Sequence, residues 1–416
     1  MQAIILRQRR SATRGGSFGM RPSEAGIEAT METGVPPEEE APEISFADLD
    51  EREMEELERS PEFMVVRPMP LRPIQPVERE RNGEPLSGDA LSDFTRDTPA
   101  GPANWGIDDG IAGPDGPDGA GVRVAILDTG IDENHPAFTT GGLRITQRNF
   151  TDEADGDTNG HGTHCAGTIF GRDVDGVRIG VARGVRDALV GKVLPGTLQD
   201  LIMALEWARN EAADIISMSL GYDFPGWVDF LVTQHGMPIQ AATSQALRDY
   251  RRNVLAMDAV LATMQPNRFS THGTLVLAAA GNESNRGGRG GSEPYVISVA
   301  PPAVADTIIA VAALQQGPDG LEVADFSNTD PDLSAPGVDI VSAMAGTQGL
   351  TALSGTSMAC PHAAGMAALY WQKARDEQRP RLATTVRRQM EGRADRSALA
   401  PGWRTIDIGQ GMVVAP

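Results

Sequence analysis

Asp128, His161 and Ser357 stand far apart in the chain, each among glycines and small residues, in the segments AILDTGID, NGHGTHCAGT and SGTSMACPHAAG. These three residue types together can perform nucleophilic acyl transfer. A serine hydroxyl attacks an amide carbonyl only when a histidine takes its proton, and a buried carboxylate holds and stabilises the imidazolium that results. Each residue also has an ordinary reading. An aspartate after a strand is commonly a turn residue, a single histidine among six is commonly structural, and Gly-Thr-Ser before a helix is commonly a cap. Their joint occurrence, with long matching flanks, favours the catalytic reading.

The elements around them are arranged to present such groups. Val122 to Leu127 is an apolar run of strand length, and Asp128 ends it where Thr129 and Gly130 turn the chain. That puts a carboxylate at the carboxyl end of a strand, where open parallel sheets build their sites. Gly160 and Gly162 flank His161 at what reads as a helix start. Gly355 and Thr356 lead into Ser357, and Met358 to Tyr370 has helical composition, with Pro361 expected in the first turn or so, where proline is tolerated. A serine at a helix amino end lies at the positive pole of the dipole, which favours an oxyanion beside it. Strand-like runs at 122–127, 187–194, 214–219, 274–280, 307–313 and 338–342 alternate with helical stretches at 161–170, 197–211, 239–264 and 356–375. The alternation predicts an α/β fold, a mostly parallel sheet covered by helices on both faces.

The motifs DTGID at Asp128, GHGTHCAGT at Gly160, SMSLG at Ser217, AAAGNES at Ala278, SAPGVDI at Ser334 and GTSMACPHAAG at Gly355 resemble those of the subtilisin-like serine peptidases. The resemblance runs from about Trp105 to the last residue. It implies a three-layer subtilisin-like fold, the order Asp, His, Ser, and hydrolysis of peptide bonds by a serine endopeptidase that needs no cofactor for its chemistry. It also implies that Asn282 donates its side-chain amide to the oxyanion, beside the Ser357 backbone amide. Ser219, Leu220 and Gly221 would pair with an extended substrate. Ala278 to Gly281, including Ala279 and Gly281, would form a wall of the primary specificity pocket, left open by small side chains and suited to medium or large apolar groups. Arg286 and Arg289, in the glycine-rich segment Ser284 to Pro294, read either as a preference for acidic substrates or as solvated loop charge. An esterase of the α/β-hydrolase type requires GxSxG and the order Ser, Asp, His, which this chain lacks. The remaining alternative is a catalytically silent binding protein of the same fold. The family's strong calcium site uses a carboxylate directly after the His-Pro dipeptide, whereas here Ala137 follows His135 and Pro136. Structural calcium elsewhere stays open, since the loop 172–178 carries Asp173 and Asp175, and no metal ligand set is assigned.

Length and composition bound the rest. The 416 residues suffice for one large α/β domain and an appendage. Net charge is −21, which argues against nucleic acid as a partner, and no stretch reaches membrane-spanning length, so the expected partners are a protein or peptide substrate and the chain's own amino-terminal region. MQAIILRQRR has too few apolar residues for a secretory signal, which points to the cytoplasm. The two cysteines, Cys165 and Cys360, each follow a catalytic candidate by about one helical turn. They read either as small buried thiols or as a pair close enough for oxidation or mercurials to disturb the site.

Three regions are expected: a propeptide-like, partly disordered segment 1–80, a linker 81–104, and the catalytic domain 105–416. Residues 15 to 43 are dominated by glycine, proline and glutamate. Asp50 and Glu53 form a capping box for a short acidic helix from Leu49 to Leu57, Glu62 to Arg67 reads as a strand, and Ala3 to Leu6 as another. This resembles the second half of the family's inhibitory propeptide, with its tail near Met69 to Pro76 along the cleft; an acidic disordered extension is the other reading. Tyr222 to Thr274 is longer than the family core needs. It carries an aromatic loop (Phe224, Trp227, Phe230) and a helix from Ile239 to Met264, which either packs or gates the cleft.

Overall fold

The structure, a computed structural model, describes residues 2–7, 43–78, 83–87, 89–99, 101–107, 116–265, 273–379 and 382–416. The irregular stretch expected at 15–43 lies outside these residues except for its last position. The chain divides into two compact units, Met1–Pro68 and Met69–Pro416. Residues 69–78 fall in the larger of these units.

The smaller unit is an antiparallel sheet of β1 (Gln2–Arg7), flanked by β2 (Glu43–Asp48) and β3 (Phe63–Val66), with helix α1 (Glu51–Glu58). The capping box forms as expected: Asp50 accepts from the Glu53 amide and Glu53 accepts from the Asp50 amide, both at 2.8 Å. Met54 and Leu57, three residues apart on one helix face, meet Ala3 and Val65 to close a small core.

In the larger unit, β4 (Pro70–Pro73), helix α2 (Asp89–Ser92) and the hairpin β5 (Thr95–Thr98) to β6 (Gly101–Asn104) precede the main sheet. The stretch expected as a linker is therefore structured over much of its described length. The main sheet holds β7 (Arg123–Asp128), β8 (Arg144–Asn149), β9 (Asp187–Lys192), β11 (Ile215–Met218), β13 (Leu275–Ala279), β14 (Ile308–Gly317), β15 (Gly320–Val323) and β16 (Leu333–Pro336). Its order is β15-β14-β13-β11-β7-β9-β8, with β16 also on β14, and every pair is parallel except β14–β15. Both faces are covered. Val124 and Ile126 of β7 enter the large core that also takes in Ala166, Ile169, Ala363 and Ala367, whereas Ala125 and Leu127 point to the other side, as a period of two requires.

The helices of this unit are α3 (Pro136–Thr139), α4 (His161–Phe170), α5 (Leu198–Asn210), α6 (Phe224–Thr233), α7 (Ile239–Ala262), α8 (Thr356–Asp376), α9 (Ala383–Arg393) and α10 (Thr405–Ile408). Helices α4 and α8 are buried along nearly their whole length, α4 completely, because Gly162, Gly167 and Gly365 admit close neighbours. The expected aromatic loop is helical instead: Asp223 caps α6 by accepting from Gly226 N at 3.1 Å, and Pro225 sits in the first turn, where it costs nothing. Two small sheets complete the unit. One is antiparallel, β10 (Gly196–Thr197), β4 and β12 (Leu220–Tyr222) in the order β10-β4-β12; the other pairs β17 (Ile340–Ala343) with β18 (Leu350–Leu353). No described helix is long and apolar enough to cross a membrane.

Candidate active site

Asp128 ends β7 and His161 begins α4, and the fold brings them into contact: His161 Nδ1 lies 2.7 Å from Asp128 Oδ1, both side chains being fully buried. Oδ1 also accepts from Thr129 N at 2.8 Å. The helix can start this close to the strand only because residue 162 is glycine; a Cβ there would lie 2.2 Å from Gly130 O. Burial alone opposes charge on His161 and is the largest single influence, but the Asp128 carboxylate, its hydrogen bond and the charge of Asp157 outweigh it, so the imidazole is held above its ordinary value of 6.5.

Asp157 went unnoticed in the sequence, where it sits in the acidic run TDEADGDTNG and reads as solvated charge. In the fold, its Oδ1 accepts from Thr129 Oγ1 at 2.9 Å and Gly160 N at 2.8 Å, and its Oδ2 accepts from Thr163 N at 2.9 Å and Thr163 Oγ1 at 2.6 Å. One carboxylate thus ties the residue after Asp128 to the first turn of the His161 helix. It also lies at the positive end of that helix. The loop before it is anchored by Lys192, whose buried ammonium donates to Ala154 O at 2.6 Å and Gly156 O at 3.2 Å.

Ser357 is the second residue of α8, so its amide is among those with no acceptor within the helix. Pro361 lies one turn further than expected and has no N–H to give to the Ser357 carbonyl four residues back. That carbonyl is satisfied from outside the helix, by Ser219 Oγ at 3.1 Å and Cys165 Sγ at 3.3 Å. The two thiols are free and fully buried. Cys360 approaches Ser217 Oγ at 3.5 Å and Met218 O at 3.6 Å. Burial is the main cause that pushes the Cys360 thiol up to about 11 and the Cys165 thiol well above its ordinary range. Cys165, Asp128 and His161 each bring one donor atom within 4.8 Å of the others, the one such group among the described residues. The carboxylate and imidazole are already spent on one another, which suits a proton relay better than a metal centre.

Asn282 follows β13. Its Oδ1 accepts from Thr356 N at 2.9 Å and Thr356 Oγ1 at 2.8 Å, which turns its Nδ2 outward to Gln75 O at 2.8 Å. Thr356, read from the sequence only as part of a helix cap, is what orients this amide; its hydroxyl also accepts from Gly281 N at 3.1 Å. Ala279 is buried at the end of β13.

The chain's own residues 69–76 run through this site. β4 pairs antiparallel with β12, Pro73 against Leu220, Arg72 against Gly221 and Leu71 against Tyr222, and on its other edge Leu71 faces Gly196. Ile74 N donates to Ser219 O at 3.1 Å, and Ser357 Oγ donates to Ile74 O at 2.7 Å. His161 Nε2 is buried without a hydrogen bond. Of the substrate-pairing candidates, Ser219, Leu220 and Gly221 all meet this strand.

Other expected features settle into structural roles. Arg286 pairs with Asp407 at 2.7 Å and Arg289 with Asp325 at 3.1 Å, so neither is a free cation for acidic substrates. Asp173 pairs with Arg183 at 2.9 Å. Among the other histidines, His164 is lowered to about 3 and His362 to about 4, chiefly by burial, and His135 caps α3.

The Subtilase family model matches residues 119–401. The chain is 36% identical to an intracellular serine protease of Paenibacillus polymyxa over 62% of its own length and 68% of that protein's. It is 33% identical to a major intracellular serine protease of Bacillus subtilis over 60% and 68%, and 32% identical to Subtilisin DY of Bacillus licheniformis over 61% and 78%. The family match and these relatives show that the chain belongs to the Subtilase family and is a serine-type endopeptidase.

Proposed function

We propose that Asp128, His161 and Ser357 form the catalytic triad, that Asn282 and the Ser357 amide bind the oxyanion, and that the amino-terminal region serves as an inhibitory propeptide whose tail occupies the cleft. The observation that carries this reading is the pair of bonds around Ile74: its N–H on Ser219 O and its carbonyl under Ser357 Oγ. That is the register of a substrate whose cleaved bond would follow residue 74. In the reaction His161 Nε2 takes the Ser357 proton as Oγ bonds to the carbonyl carbon. The oxyanion passes to Asn282 Nδ2 and the Ser357 N–H, and the imidazolium then protonates the departing amine as the C–N bond breaks. No cofactor enters these steps.

The resting arrangement is off that path. Ser357 Oγ holds the Ile74 carbonyl while Asn282 Nδ2 holds the next one, that of Gln75. The two groups must converge on one carbonyl for turnover, so residues 69–76 act as an inhibitor before they act as a substrate. The names of the two intracellular relatives support a site of action inside the cell.

Labelling with a fluorophosphonate tests the triad: wild type should react and Ser357→Ala should not. Wild type should also cut itself between about residues 68 and 104 while Ser357→Ala stays full length. Labelling of the alanine variant overturns the assignment of the nucleophile. A wild type that is active yet permanently intact overturns the propeptide, and a folded wild type that neither labels nor cleaves would be a silent binding protein.

A further inference from the structure

The helical insertion after β12 meets the peptide in the cleft at two points. Asp223, which caps α6, places Oδ1 3.1 Å from Arg72 Nη1, with the two side chains 30% and 45% exposed. Arg72 is the third residue before the bond that would be cut. Asn253, in the middle of α7 and fully buried, accepts from Met69 N at 2.8 Å through Oδ1, while its Nδ2 is fixed by donating to Asp249 O at 2.7 Å. Met69 is the sixth residue before that bond. The backbone is held between these two points as well: Asp223 N donates to Pro70 O at 3.3 Å and Leu198 N to Met69 O at 3.1 Å. Met69 and Leu71 are buried.

From this geometry we infer that the insertion extends the substrate cleft to six residues before the cleaved bond and selects substrates basic at the third of them. Asp223 reads the charge and Asn253 grips the backbone amide. The inference rests on the placement of residues 69–74 as a substrate in register. The side chain three before the bond is half exposed, so the preference is of the size of a surface ion pair and weakens with salt. The Asn253 contact is sequence-independent, because it takes only an N–H, and it is worth more for being buried.

The test uses the mature enzyme and N-acetylated peptides acetyl-Met-Pro-Leu-Xaa-Pro-Ile carrying a fluorogenic anilide after Ile, with Xaa as Arg, Gln or Glu. We expect kcat/KM to rank Arg above Gln above Glu, Arg exceeding Glu by roughly three- to tenfold at low salt. Asp223→Asn keeps a good helix cap but removes the charge, and should bring Arg and Glu to near equality. N-methylation of the Met amide removes the hydrogen to Asn253 without touching the enzyme, and should lower kcat/KM by roughly two- to tenfold. Equal rates for Arg and Glu in wild type, or a ratio unmoved by Asp223→Asn, overturn charge selection. No penalty from N-methylation overturns the Asn253 contact. An enzyme that reacts with fluorophosphonate but cuts none of these peptides after Ile overturns the register itself.

Discussion

At the scale of single residues the site is a set of groups held by others. Asn282 is aimed by Thr356, and Asn282→Ala should lower kcat by roughly 100- to 1000-fold with folding intact; that magnitude is the one established for such a donor in subtilisin itself and is carried over to this relative. An unchanged rate would refute the assignment. Asp157 acts through His161. With His161 as the proposed base, activity needs the neutral imidazole and should be lost as pH falls through a value above 6.5. Removing the negative charge of Asp157 lowers that value, and Asp157→Asn should carry the acid limb of the kcat/KM profile to lower pH. Asp157→Glu, which retains the charge, should leave the limb nearer its wild-type place, and coincident profiles in all three would reduce Asp157 to a scaffold. The thiols, pushed up by burial, should resist iodoacetamide in the folded enzyme and react only after unfolding, as mass spectrometry of the alkylated chain would show. The residues proposed as the triad were legible because each sits in a long run of small residues, whereas Asp157 was hidden by the three other carboxylates Asp152, Glu153 and Asp155 just before it. The part Thr356 plays in orienting Asn282 was hidden behind the serine next to it.

At the scale of elements, the junction from β18 into α8 sets the spacing of the site. Gly355 has an extended backbone, φ 165°, that any residue can adopt, so its glycine is required for another reason: a Cβ would come within 2.9 Å of Asn282 Nδ2. Gly355→Ala should therefore depress kcat at least about tenfold while moving Tm by only a few degrees, since it adds crowding at one amide and no backbone strain. A large loss of Tm with kcat per folded molecule preserved would place the crowding elsewhere. The buried strands were readable because both faces are covered and the runs are continuously apolar. Strand β2, EISFAD, was not; it is one short alternation at the end of a proline- and glutamate-rich stretch. Helix α6 was mistaken for a loop because Phe-Pro-Gly suggests a turn, and only the Asp223 cap and the position of Pro225 in the first turn reconcile those residues with a helix.

At the scale of the molecule, residues 69–78 belong by their contacts to the larger unit although the sequence attaches them to the smaller. A synthetic peptide covering Met69 to Val77 should compete with short substrates in the matured enzyme, and a competition experiment that shows no effect on apparent KM would contradict its role in the cleft. The domain boundary could not be read from composition, since it depends on pairing with β10 and β12, strands more than a hundred residues away.

Pro361 has a consequence that reaches the substrate. By withholding an N–H it leaves the carbonyl of Ser357 to Ser219, and the same Ser219 offers its own carbonyl to the N–H of Ile74. One residue is thus a shared gauge between the nucleophile and the peptide it must strike: it measures both from a single point, so an error in seating either is transmitted to the other. Substitution at 219 should accordingly move kcat and KM together, the mark of a joint that sets a distance and not of a contact that adds affinity.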